Sequence, residues 1–265
     1  GERISVGKGL LYDLSGLSRL KGLTRLELAA QPLNDLTGIQ HLAELKDVHF
    51  DGCWFTDASP VFTLTELESV GFSSTPVESL TGLQNLHRLI RLDLNNSNVH
   101  DITALRETDF TRAYEQGGLI LMINSIPCKD LSPLTAVRQF NELHVMGMEA
   151  SRWLPHISES TVTHLLAHDC RLKDSDIPLL AAIPGLKDLE IPYNQEVTDL
   201  SPLLASETLE RLFISADMRG ALRDIGESAR FEIVMDESNY GLLSLEELDT
   251  LPAEQLAKVR SFTLA

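Results

Sequence analysis

Apolar residues recur in this chain at a spacing that neither a plain helix nor a plain strand can use. Between positions 83 and 105 the order is Leu89, Leu92 and Leu94, then Ser97 and Val99, then the turn Asp101-Ile102-Thr103. Steps of three, two, three and two match neither the 3.6-residue period of a helix nor the two-residue period of a strand. They match a short strand that turns a corner and keeps sending its apolar side chains inward. A unit of that kind cannot bury its apolar side alone and needs like units stacked against it.

Those like units are present. With the middle apolar residue as anchor, Ile4, Leu26, Val48, Val70 and Leu92 follow at steps of 22 and Leu121 after 29. Leu143 and Leu165 come at 22 again, Leu189 at 24 and Leu212 at 23. Each anchor has an apolar partner two residues on: Val6, Leu28, Phe50, Phe72, Leu94, Ile123, Val145, Ala167, Ile191 and Ile214. A further inward dip falls on Leu11, Leu33, Phe55, Val77, Val99, Cys128, Ala150, Leu172 and Val197. Residues flanking the inward ones point out onto a continuous parallel sheet. The return segment is too short for a long helix, so 3₁₀ or single helical turns are expected behind the sheet.

Two stretches depart from the period. Positions 106–118 (RETDFTRAYEQGG) carry most of the extra length of the long repeat, either as a helix ending at the glycines or as a projecting loop. After Leu212 the register weakens. Phe231, Ile233 and Met235 alternate like a strand, 244–258 reads as a helix with Ser244 and Glu247 as a capping box, and Val259, Phe262 and Leu264 restart the motif. The expectation is one repeat domain over 1–265, regular to about 222 and irregular over 223–265. With no polar cap over either end, the chain is expected to be part of a longer one.

Composition narrows the partners. Hydrophobic residues are 43% but aromatics only 6%, so aliphatic side chains fill the layers. Acidic residues number 39 against 22 basic, a formal charge of −17, which argues against nucleic acid and anionic membranes as partners. No run of eighteen apolar residues occurs, so membrane insertion is not expected. Three cysteines without paired spacing argue against a disulfide framework or a zinc site. The expected compartment is the cytoplasm, with secretion or the cell surface left open because Gly1 stands where an initiator Met would.

Recurrent turn aspartates (Asp13, Asp35, Asp57, Asp101, Asp130, Asp174) invite a calcium reading, but Asp before a short helical turn is what an N-cap requires. Three residues after the second apolar partner stand Gln31, Cys53, Thr75, Ser97, Cys170, Asn194 and Asp217, a corner where a small polar group can satisfy loop backbone. Cys53 and Cys170 are expected to be buried there, and Cys128 at the inward dip.

The 22-residue period with turns of the form Asp-Leu/Ile-Ser/Thr (Asp13-Leu14-Ser15, Asp35-Leu36-Thr37, Asp101-Ile102-Thr103, Asp130-Leu131-Ser132, Asp199-Leu200-Ser201) resembles the leucine-rich-repeat superfamily. The likeness is to the class shared by bacterial internalins and the phosphatase regulator of the SDS22 type. The resemblance implies an α/β solenoid with a curved parallel β-sheet on its concave face, short 3₁₀ or α segments on the convex face, and protein binding in the concavity.

On that face the first four repeats are polar and charged. From Ile120 to Phe213 outward apolar residues (Ile120, Met122, Met146, Leu166, Phe213) mix with His144, His164 and His168 and with Glu142, Asp188 and Glu190. Outward aliphatics are hard to justify by folding alone and commonly mark interfaces. The expected function is a non-catalytic module binding a protein ligand through these eleven residues, without cofactor or metal. Two alternatives remain open: a sensor or scaffold segment of a larger signalling protein, and a metal-dependent enzyme using Glu142, His144, His164 and Asp188. The latter is disfavoured because His164 and His168 lie too far apart along one strand to share an ion. The oligomeric state is not legible.

Overall fold

The computed structural model describes residues 10–236 apart from 18, 226 and 227. Ten short strands form one parallel sheet whose order follows the chain: β1 Arg25–Ala29, β2 Asp47–Asp51, β3 Ser69–Gly71, β4 Arg91–Asp93, β5 Leu119–Met122, β6 Gln139–His144, β7 Thr161–Leu166, β8 Asp188–Glu190, β9 Arg211–Ser215 and β10 Glu232–Asp236. The anchors stand opposite one another, Leu26 with Val48, Val70 and Leu92 across β1 to β4. Leu143, Leu165, Leu189 and Leu212 do the same across β6 to β9. Strand β10 continues the series, with Ile233 opposite Leu212 and Met235 opposite Ile214, so the register runs on past the point where the sequence suggests it lapses. Ile4, Val6, the expected helix 244–258 and the final Val259, Phe262 and Leu264 lie outside the described residues.

Each repeat returns through one short turn, or two between β4 and β5 and between β6 and β7, as its length dictates. Most are 3₁₀ turns such as Ile39–His41, Val61–Thr63 and Leu83–Asn85; three are single α-turns, α1 Thr111–Glu115, α2 Ala150–Trp153 and α3 Ile177–Ala181. The long repeat spends its extra residues on α1. Phe110 and Ala113 are buried beneath it, and the Gly118 N–H closes it on Ala113 O at 2.9 Å. Of the two readings of 106–118, the helix is therefore the one observed.

Packing groups the chain into two compact units, Gly1–Leu119 with Ile126–Asp130, and Ile120–Ser125 with Leu131–Ala265. In unit 1 the layers hold Phe50, Phe55, Phe62 and Phe72, with Phe50 and Phe55 edge to face at 5.0 Å. Unit 2 is mainly aliphatic, with Phe140, Trp153 and Phe231 as its buried rings among the described residues. The described inward anchors are buried in both, apart from Leu28, which with the dip residue Leu11 is half-buried.

Strands β1 to β8 end in the same left-handed corner. In unit 1 Ala30, Gly52, Ser74 and Asn96 have φ of 51°, 61°, 54° and 55°; in unit 2 Ser125, Gly147, Asp169 and Tyr193 have 57°, 71°, 50° and 63°. The residue that follows belongs to an inner ladder. In unit 1 Thr75 Oγ1 accepts the Cys53 N–H at 3.3 Å and points its one O–H between Ser73 O at 3.2 Å and Phe50 O at 3.4 Å. In unit 2 Asn194 Oδ1 accepts the Cys170 and Leu172 N–H groups at 2.9 and 3.0 Å. Its Nδ2 donates to Ala167 O and Ile191 O, both at 2.9 Å. Cys53, Cys128 and Cys170 are all buried. Asp217 does not belong to the series: it is exposed, because the turn Ala216–Leu222 buries Met218 instead.

The turn aspartates work locally. Asp13, Asp35, Asp57 and Asp101 each accept the N–H two residues on at 2.7–2.9 Å, an Asx turn that starts the return segment and not an N-cap bond of the helical turn itself. Asp174 reaches the next repeat, accepting the N–H groups of Thr198 and Asp199 at 2.6 and 3.0 Å. Hydrogen bonds to the charged form hold Asp13, Asp101 and Asp174 below the usual carboxylate range.

Candidate functional site

Side chains on a strand alternate, so residues either side of a buried anchor share the outer face. In unit 2 the register gives two outward rows. One is Glu142, His164, Asp188 and Arg211; the other is His144, Leu166, Glu190 and Phe213. Both rows are as the repeat spacing predicts, and β5 adds Ile120 and Met122. All eleven predicted site residues fall in this unit.

Three histidines pair with three carboxylates across this face. His164 Nδ1 lies 2.6 Å from Asp188 Oδ2, and Asp188 Oδ1 accepts a second bond from Arg211 Nε at 2.7 Å. His144 Nε2 lies 3.2 Å from Glu142 Oε2, two residues back on its own strand. His168 Nε2 lies 3.2 Å from Glu190 Oε2 on the neighbouring strand. The bond from His168 holds Glu190 below the usual range, helped by Arg211 and His144 and opposed by burial. The sequence suggests His164 between Glu142 and Asp188; the structure gives it Asp188 alone, because Glu142 turns along β6 to His144. Arg211 is the member that sequence reasoning leaves out of the site, although its position opposite Asp188 was readable from the register.

The apolar members are less open than expected. Ile120, Met146, Leu166 and Phe213 are half-buried, and Met122 is only 8% exposed, so it is a packed residue and not a free contact. Asn124 and Ser215, at the edge of the face, serve the backbone: Asn124 Oδ1 accepts the Met146 N–H and Ser215 Oγ the Tyr193 N–H, both at 2.7 Å. Among the described residues no group of three His, Cys, Asp or Glu is disposed to hold a metal ion. Nor is any described helix long and apolar enough to cross a membrane.

The face of unit 1 is built differently. His49 donates to or accepts from Ser69 Oγ at 2.8 Å, and its ring fills the space over Gly71, where any Cβ would collide with Nδ1. Burial, aided by Arg91, lowers the affinity of His49 for a proton. Arg25 pairs with Glu27 on the same strand. No apolar side chain comparable to Leu166 or Phe213 stands on these four strands.

No protein-family model and no curated protein matches the sequence. Solved structures do. Internalin C2 of Listeria monocytogenes matches with a TM-score of 0.58 and 23% identity over 74% of this chain and 82% of its own. Internalin F of the same species matches with a TM-score of 0.61 and 21% identity over 97% of this chain and 78% of its own. The fold is a leucine-rich repeat. At these identities the likeness speaks for the leucine-rich-repeat architecture, which the parallel sheet with its short return turns fits.

Proposed function

We propose that the chain is a non-catalytic protein-recognition module and that unit 2 binds a protein ligand on the outer face of β5 to β9. One observation carries this reading: half-buried Leu166 and Phe213 stand in the same outward row as His144 and Glu190, beside three His–carboxylate pairs. Interfaces concentrate their energy in a few apolar or aromatic anchors ringed by polar groups, and this face offers that mixture whereas the unit 1 face does not. The paired histidines already have partners, which favours recognition over proton transfer.

The test is affinity for a partner captured on the immobilised protein and then purified. Leu166→Asp points away from the core and should leave the unfolding curve in place while weakening binding by about 2 kcal/mol or more, the hot-spot range. Glu27→Gln and Asp93→Asn, on the unit 1 face, should change it by less than about 0.5 kcal/mol. Equal losses in both sets would replace a focused site with a diffuse electrostatic one, and no loss at Leu166 would remove the site from this face.

A further inference from the structure

The loops that follow the strands of unit 1 form a surface of their own. Residues 10–15, 30–37, 52–59, 74–81 and 96–103 are equivalent segments of five successive repeats. Backbone bonds hold the first three side by side: Leu14 N–H to Thr37 O at 3.1 Å, Asn34 N–H to Tyr12 O at 3.3 Å and Trp54 N–H to Leu33 O at 2.9 Å. Neighbouring repeats in such a stack lie about 4.8 Å apart. The position just before each inward dip is therefore a row along this edge, and in the first four repeats it holds Leu10, the buried Pro32, Trp54 and the half-buried Pro76. Leu10 and Trp54 are 64% and 65% exposed. An indole left this open has no folding role.

Charge marks the same edge. Apart from Lys8, which holds the first position of the opening repeat, these segments contain neither Lys nor Arg, yet they carry Asp13, Asp35, Asp57, Glu78 and Asp101. Asp13, Asp35 and Asp57 occupy one position of three successive repeats, a row parallel to that of Trp54. Each keeps one backbone bond within its own turn, Asp13 and Asp35 also accept the hydroxyls of Ser15 and Thr37, and a carboxylate has further acceptor capacity. The equivalent positions of unit 2 are different: Glu149, Arg171 and Glu196 replace the apolar row, and Arg171 pairs with Glu149 at 2.7 Å.

The geometry points to a second docking surface, on the loop edge of unit 1, for a basic extended protein segment that stacks an Arg or Lys side chain on Trp54 beside the Asp35 and Asp57 row. A cation over an indole face is attracted by the ring quadrupole, and the flanking carboxylates attract the same charge. The surface is independent of the face proposed above, since it lies on other elements and uses none of its residues.

The protein carries its own reporter. It has two tryptophans, and Trp153 is fully buried with its Nε1–H on Met148 O at 3.0 Å, so solvent-sensitive emission comes from Trp54. Hexa-arginine amide titrated at low salt should shift that emission saturably, and hexaglutamate should not. Binding of a labelled hexa-arginine followed by anisotropy should weaken at least about threefold in Trp54→Ala, a change that leaves the net charge at −17. It should also weaken more in Asp35→Asn/Asp57→Asn, which keeps the turns, than in Glu159→Gln/Glu207→Gln, which removes the same charge elsewhere. Less than threefold loss in Trp54→Ala, or equal losses in the two double variants, would reduce the binding to attraction by bulk charge and overturn the site. Acrylamide quenching of Trp54 that falls as protein concentration rises would assign the surface to a second copy of the chain and overturn it equally.

Discussion

The edge after each strand is built twice, and the two versions solve the same backbone problem with different chemistry. In unit 1 the half-buried amide Gln31 opens the series and the fully buried rungs are hydroxyl or thiol: Cys53, Thr75 and Ser97, of which Thr75 makes bonds of 3.2–3.4 Å while Ser97 Oγ has no protein partner. In unit 2 one amide, Asn194, makes four bonds of 2.9–3.0 Å to two donors and two carbonyls. The outer surface differs in the opposite sense. Unit 2 neutralises itself through Arg171–Glu149 and Lys173–Glu196, whereas unit 1 leaves Asp35 and Asp57 without basic neighbours on the same loops and exposes Trp54. The comparison separates two demands on one repeat. Folding asks only for a small polar group at the rung, and the exterior is free to vary.

The sharpest contrast should appear in the thiols. Burial pushes the Cys170 thiol up to about 12, and its hydrogen goes to Val145 O at 3.1 Å. Its thiolate population at neutral pH should fall about a thousandfold below that of an ordinary cysteine. Cys53 is raised by burial as well, but its bond to Leu28 O is long at 3.8 Å. N-ethylmaleimide labelling resolved by mass spectrometry should modify Cys53 well before Cys170. Equal rates would mean that the two rungs open together.

Asn194→Ala should then be the costliest substitution on either edge. It strands the Cys170 and Leu172 N–H groups in the interior, and a buried unpaired donor costs about 1–3 kcal/mol. A loss of about 3 kcal/mol or more in denaturant unfolding is expected. Thr75→Val keeps the shape of the unit 1 rung and removes only bonds of 3.2–3.4 Å, so about 1 kcal/mol is expected there. If Thr75→Val proves as damaging as Asn194→Ala, the hydroxyl rungs are stronger than their distances imply.

How much of this was readable depends on whether period or environment decides the outcome. The anchors were legible because a strand admits one buried face, and a one-residue slip would expose every leucine. For the same reason the outward rows of unit 2, including Leu166 opposite Glu190, followed from counting alone. What counting could not supply was the direction a long side chain takes within its row. Glu142 turns to His144 instead of His164, and Met122 folds down to 8% exposure. Asp217 failed because a local turn overrode the period. Trp54 stood in the sequence one residue before a dip, but its exposure depends on having no inward layer to join, which only packing reveals.

The smallest expected effect concerns the corner that both edges share. Glycine marks it at Gly52 and Gly147, but elsewhere L-residues are held at positive φ, and Ala30 at 51° has no side-chain hydrogen bond to favour that region. Left-handed backbone costs an L-residue roughly 1–2 kcal/mol, and glycine escapes this while adding entropy of about 0.4–1 kcal/mol to the unfolded chain. Ala30→Gly should therefore stabilise unit 1 by about 0.5–1 kcal/mol. The reverse change, Gly52→Ala, should cost about as much through conformation alone, since the nearest atoms to its new Cβ lie 3.9 Å away. Asp169→Gly, at the same corner of unit 2, should gain less, because aspartate tolerates the left-handed region better than alanine does. Unfolding curves of the three variants decide it. A loss of stability in Ala30→Gly would show that the corner is not left-handed in solution, and the shared geometry on which the comparison of the two edges stands would fall with it.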